Sequence, residues 1–210
     1  MLPPTIPIFP LPNVVLFPNV FLPLHIFEPR YRQMVEDALN GDRIIGMVLL
    51  RPGWEGDYEG RPPVYAVGCA GVVTHGERLP DGRYNIVLRG MEKFRIAGED
   101  ADRPYRMATV IAMPEPSAES VREEMRTERR RLEALLVPQP EGQRRDPKVP
   151  TSMPDEDLVN ALAQYLEFDP VEKQALLERD GLLDRCRSLI ELLEMKVLAA
   201  RHSWDRDGSH

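Results

Sequence analysis

The chain has 210 residues, enough to bury a substantial core in one or two domains. Its hydrophobic content of 42% and charged content of 29% are those of a globular protein, not of a disordered or fibrous one. With 27 Lys and Arg against 34 Asp and Glu, the net charge of −7 argues against a broad electrostatic footprint for nucleic acid or for an anionic membrane.

No Asp, Glu, Lys or Arg precedes Glu28, and such a run is long enough to span a bilayer. Pro3, Pro4, Pro7, Pro10, Pro12, Pro18 and Pro23 each remove a backbone donor, which breaks the helix that hydrocarbon demands. A secretory signal fails as well, for want of a basic leader, an unbroken apolar stretch and a small-residue cleavage site. The stretch reads instead as short buried strand pieces at residues 5–9, 14–17 and 20–24, turning between prolines.

Residues 28–39 predict a helix, with Pro29 at the first helical position, Tyr31, Met34, Val35, Ala38 and Leu39 on one face, and Gly41 ending it. Residues 44–50 are a continuous apolar, β-branched run and read as a buried strand. Prolines and glycines make residues 51–63 a loop. Residues 64–74 read as a strand interrupted by Gly68 and Gly71, glycines that mark a bulge or a bend at a barrel corner. Pro80-Asp81-Gly82 turns the chain into a partner strand at 84–88, and 93–96 and 107–113 add two more. At least seven short strands around one embedded helix bend most readily into a closed or half-closed β-barrel.

The composition changes at Pro114-Glu115-Pro116, which sets the expected boundary between a β domain at 1–114 and a helical bundle at 117–202. Ser117 or Ser120 caps a first helix running to about residue 137. Its Arg126, Arg129, Arg130 and Arg131 interleave with Glu123, Glu124, Glu128 and Glu133, which favours a solvated helix over a nucleic-acid patch. Five prolines make 138–154 an extended connector. Residues 155–166 form the next helix, and Asp169-Pro170 with Glu172 caps another. Leu182, Cys186, Leu189, Ile190, Leu193 and Val197 give the longest apolar stripe, and 203–210 reads as a frayed tail.

Three motifs carry a resemblance. Pro7-x-Phe9-Pro10-Leu11, then Val14-Val15-Leu16-Phe17-Pro18, then Leu22-Pro23-Leu24-x-Ile26-Phe27-Glu28-Pro29-Arg30-Tyr31 resemble the opening of the Lon protease N-terminal domain, most of all its free-standing bacterial version. The likeness continues through the 80–82 turn and Gly90-Met91-Glu92-Lys93-Phe94-Arg95-Ile96, while the C-terminal half matches only in its pattern of helices. The resemblance implies an α+β chain with a PUA-like pseudo-barrel followed by a helical bundle. It also implies a role in binding exposed apolar or unfolded protein segments, with the groove between barrel and bundle as a site and a protease or chaperone as partner.

Groups able to do chemistry are sparse. A phosphate-binding Gly-x-x-x-x-Gly-Lys loop is missing, as is a Gly-x-Ser-x-Gly elbow, and the six serines fall in caps, linker, helix or tail. Lon-type ATPase and Ser/Lys protease domains do not fit in this length, so the resemblance carries recognition and not peptide cleavage. His25, His75, His202 and His210 lack metal-ligand spacing, and Asp100 and Asp102 lie in a polar turn unsuited to acid–base work. No cofactor, metal, nucleic acid or membrane partner is expected. Cys69 and Cys186 lie in different halves, which fits a reducing cytoplasm. The positive signal is a surface: Trp54 and Tyr58 on the 51–63 loop are candidate partner-binding anchors, against the alternative that Trp54 folds back as a lid on the barrel. An RNA-binding PUA-like protein and a hydrolase of another kind are the alternative functions.

Overall fold

The computed structural model describes residues 2–57, 60–100, 102–116, 118–136 and 153–207. Contacts group the described residues into two compact units, Met1–Pro114 with Asn160–Glu178, and Glu115–Val159 with Arg179–His210.

The first unit contains β1 (Thr5–Leu11), β2 (Phe21–Ile26), α1 (Pro29–Asn40), β3 (Ile44–Leu49), β4 (Val67–Arg78), β5 (Tyr84–Asp100) and β6 (Arg106–Met113). The strands follow the order β2-β5-β4-β3-β1-β6, and β6 also pairs with β5. The circuit β1-β3-β4-β5-β6 is therefore closed, with β2 attached to β5 outside it. The β1–β3 pair is parallel, and β2 and α1 supply the long crossover that a parallel pair needs. Ile6 and Ile8 from β1, Ile44 and Val48 from β3, Ala70, Phe94, Ala108 and Val110 form one buried cluster. Every residue of β3 is buried, as its unbroken apolar run requires.

Six strands stand among the described residues where the sequence predicts at least seven, for two reasons. Residues 14–17 form no strand although Val15, Leu16 and Phe17 are buried. Here a side chain replaces the ladder, because the Phe17 N–H donates to Gln164 Oε1 at 3.1 Å. The predicted strands at 84–88 and 93–96 are one 17-residue strand, β5, which pairs along its length with β2, β4 and β6. Arg89-Gly90-Met91-Glu92 interrupts the alternation in sequence but not the strand. The predicted bend in β4 appears as register shifts at Ala70/Gly71 and at Val73/His75. Gly82 closes the β4–β5 hairpin at φ 83°, a conformation that glycine adopts without strain.

The expected domain boundary differs from the contacts in one segment. Residues 160–178, comprising the end of α3 (Asp155–Tyr165) and α4 (Pro170–Leu177), group with the strands. Three polar side chains make this attachment: Gln164 at Phe17, Gln174 Nε2 donating to the Val67 carbonyl at 2.9 Å, and Tyr165 Oη donating to the Phe21 carbonyl at 2.8 Å. An apolar stripe tells that a helix is buried, not on what. The Asp169 cap takes the predicted form, its N–H donating to Glu172 Oε2 at 2.8 Å.

The second unit contains α2 (Arg122–Leu136), the start of α3 and α5 (Leu182–Asp207). Met125, Leu132, Leu182, Cys186, Leu189 and Ile190 are buried in it, whereas Leu193 is half-buried and Val197 is 37% exposed, so the predicted stripe is covered only over its first half. Three of the four arginines singled out in α2 pair with carboxylates: Arg126 with Glu123, Arg129 with Glu133 and Asp155, and Arg131 with Glu194. Arg185, fully buried, pairs with Glu115. Where the sequence predicts a tail from 203, the α5 backbone runs on to Asp207, since no Pro or Gly intervenes before Gly208. Residues 208–210 and most of the 138–154 connector lie outside the described residues.

Candidate functional site

The 51–63 loop contains a 3-10 turn, Trp54–Asp57, on which Trp54 is half-buried, and Tyr58 lies outside the described residues. The far end of the loop is what builds a concavity. Gly60, Arg61 and Pro62 line a cavity of about 280 Å³ together with Arg30 and Tyr31 from the start of α1, Leu50 after β3, and Arg103 to Arg106 from the β5–β6 turn.

Three of the four arginines of this cavity are held by carboxylates. Arg30 Nε donates to Glu28 Oε2 at 3.1 Å, and its guanidinium lies 4.7 Å from the Tyr31 ring centre. Arg106, a buried side chain, meets Glu99 through Nε at 2.8 Å and Nη2 at 2.6 Å, and its Nη1 donates to the Pro62 carbonyl at 2.8 Å, which ties the loop to β6. Arg103 Nη1 reaches Asp37 Oδ2 at 2.8 Å and Tyr105 Oη at 2.9 Å, while Tyr105 Oη donates to Asp37 at 2.6 Å. The hydrogen bond to Tyr105 and the charge of Asp37 hold Arg103 above the ordinary arginine range. Burial, and then the bond to Asp37, pushes the Tyr105 hydroxyl up. Arg61 is exposed and Nη1 donates to a neutral group, the Asp100 carbonyl, at 3.1 Å. A second cavity of about 170 Å³ shares Arg103 and Tyr105 but is lined also by Asp37 and Asp42, so its charge is mixed.

A second surface lies on β2. Among the described residues this strand pairs only with β5, and Phe21, Pro23 and His25 form its exposed face. Phe27, in step with them, is 61% exposed and Phe21 is 50% exposed. The His25 and Phe27 rings stack with centres 6.4 Å apart. His25 Nδ1 meets Asn85 Oδ1 at 2.8 Å and Nε2 meets Arg83 Nη1 at 3.1 Å, a pairing that the Nδ1–H tautomer satisfies. The outer edge is blunted. The Val20 carbonyl accepts from Gly90 N–H, so by strand alternation the Phe21 carbonyl faces outward, where the Tyr165 hydroxyl covers it. Pro23, on the same side, has no N–H to offer. What β2 presents is therefore aromatic side chain, with little free ladder.

A family model described as the ATP-dependent protease La (LON) substrate-binding domain matches residues 5–195. The chain belongs to this family. It is 26% identical over 200 residues to a Lon protease of Cytophaga hutchinsonii, an alignment covering 93% of this chain and 24% of that protein. It is 28% identical over 200 residues to Lon protease 2 of Myxococcus xanthus, with the same shares. The chain thus spans about a quarter of the length of these curated relatives. Among solved structures, the Lon N-terminal domain protein from Xanthomonas campestris matches with a TM-score of 0.59 at 21% identity, over 89% of this chain and 97% of that one. The N-terminal domain of a Mycobacterium avium complex Lon protease matches with a TM-score of 0.68 at 17% identity, over 90% and 98%. These two likenesses show a shared α+β fold.

The Lon-family match falls on the substrate-binding domain and not on a protease domain. Among the described residues no group of three or more His, Cys, Asp or Glu could hold a metal ion, and no helix is long and apolar enough to cross a membrane. Sequence reasoning found the 51–63 loop and missed the arginines that it meets. Their only signal was proximity to proline, in Glu28-Pro29-Arg30 and Arg103-Pro104-Tyr105-Arg106, where a fixed φ sets the direction of the neighbouring side chains.

Proposed function

We propose that the chain is a non-catalytic recognition module that holds exposed apolar or unfolded segments of other proteins for a protease or chaperone to act on. The observation that carries this reading is the exposed aromatic face of β2, in a chain of a substrate-binding family. An aromatic side chain left in water forfeits a large burial energy, on the order of 2 kcal/mol each, which a partner recovers. From Phe21 to Phe27 the face runs roughly 20 Å at strand rise, the length of an extended segment of about six residues. The 51–63 loop, with Trp54 and Tyr58, is assigned the same role. In this reading the closed strand circuit is a PUA-like pseudo-barrel and the second unit is the helical bundle that follows it.

The test is a titration of a fluorescently labelled, permanently unfolded protein against the wild-type chain, Phe21→Ser with Phe27→Ser, and Trp54→Ala. A flexible partner loses conformational entropy on docking, so dissociation constants should lie around the micromolar range. Loss of both phenylalanines should weaken binding about ten-fold or more, and loss of Trp54 should weaken it less. Equal affinity for all three proteins removes both surfaces from the site.

A further inference from the structure

We propose that the arginine-lined cavity is a carboxylate pocket, which selects segments carrying a carboxylate beside apolar residues. This deepens the preceding reading and rests on it. Four lining residues, Arg30, Arg61, Arg103 and Arg106, are cations, and among the described residues no Asp or Glu lines the cavity. The carboxylates that orient three of them, Glu28, Asp37 and Glu99, stand behind the wall. A chain with a net charge of −7 has thus concentrated cations on one concave surface. The wall is also built: Arg106 is fixed by three hydrogen bonds from Nε, Nη1 and Nη2, and Arg103 by Asp37 and Tyr105.

Arg61 is the residue positioned to engage a ligand. Of its five N–H donors, the bond among the described residues goes to a neutral carbonyl, which leaves its charge uncompensated there and its fork open for a planar, bidentate anion. Leu50, Pro62 and Tyr31 supply apolar wall beside that fork. The volume of about 280 Å³ lies just under the range of about 300–1,000 Å³ typical of sites for drug-sized ligands, so the pocket fits one terminal or side-chain group of a segment. A chain-terminal carboxylate and an Asp or Glu side chain share this chemistry.

The experiment uses the full chain and one labelled apolar peptide in four forms: free C-terminal acid or C-terminal amide, each with an internal Glu or Gln. Fluorescence anisotropy gives the dissociation constants for the wild type, Arg61→Gln and Arg61→Lys. A charge-assisted bidentate contact should favour the acid or the Glu form about ten-fold or more on the wild type. Whichever of the two forms shows the preference identifies the source of the carboxylate. That preference should vanish in Arg61→Gln and return in part in Arg61→Lys, which keeps the charge but not the fork. Equal affinity of all four forms for the wild type overturns the pocket while leaving peptide recognition standing. Binding of no form overturns both. A single-stranded RNA oligonucleotide that binds the wild type more tightly than any peptide, and loses that binding in Arg61→Gln, overturns the assignment to protein.

Discussion

Leu189→Ala is the sharpest test of how the helical unit is held together. Leu189 is fully buried on α5, in the same unit as the fully buried Cys186, Ile190 and Leu132. The substitution removes three carbon atoms, which at about 0.8 kcal/mol per buried methylene is roughly 2.4 kcal/mol of transfer energy. A residual cavity adds about 1 kcal/mol where neighbouring helices relax only in part, so a cost of about 3–4 kcal/mol is expected. For a chain of this size each kcal/mol moves the melting midpoint by about 2–4 °C, which gives a fall of roughly 6–16 °C. Calorimetry reads the shift, and hydrogen exchange locates it: amides of α2 and α5 should lose protection while those of β3 and β4 change little. Val197→Ala, at a position that is 37% exposed, should cost less than about 1 kcal/mol. A Leu189→Ala chain that melts with the wild type would show that residue 189 is not in the core and that the helix phase is wrong.

Other perturbations give equally definite outcomes. Gly90→Ala would drive a Cβ onto the Phe17 carbonyl, so it should lower the melting midpoint markedly and loosen the β2–β5 junction in hydrogen exchange, whereas Gly98→Ala, with open space around it, should not. Burial, reinforced by the Glu128 and Asp155 carboxylates, pushes the Cys186 thiol up to about 12. The native chain should therefore react with a thiol reagent near neutral pH only as fast as it unfolds, and rapid labelling would contradict that packing. Burial, and then the charge of Glu115, raises the pKa of Glu156 above 4.5, so the folded state disfavours its ionised form. That penalty is present above the raised folded value and vanishes below the unfolded one. Glu156→Gln should therefore stabilise the chain at neutral pH and have no effect in acid below about pH 4. ATP turnover and cleavage of unfolded protein by the purified chain should both be undetectable, and either activity surviving removal of contaminating protease would refute the non-catalytic reading.

Much of the first unit is legible because proline and glycine punctuate it. The α1 helix, the fully apolar β3 and the 80–82 turn follow from local signals, and their predicted limits lie within a residue or two of the observed ones. The continuity of β5 is not legible, since Arg89 to Glu92 breaks the alternation that marks a strand, and that segment is carried by pairing with β2 at Arg89 and with β4. Nor is the attachment of residues 160–178 to the strands, which depends on Gln164, Tyr165 and Gln174 satisfying main-chain groups over a hundred residues away in sequence. The cavity illustrates the same limit. Its loop is visible from composition, but Arg30, Arg61, Arg103 and Arg106 are brought together only by tertiary structure.

The claim that this Lon-family chain recognises non-native protein is tested most directly by equilibrium binding of one protein in two states, a permanently unfolded form and its folded counterpart, at low and at high salt. Recognition of exposed apolar segments predicts binding of the unfolded form only, with a dissociation constant around the micromolar range that changes little with salt. Equal binding of folded and unfolded forms, or binding of neither, would contradict it.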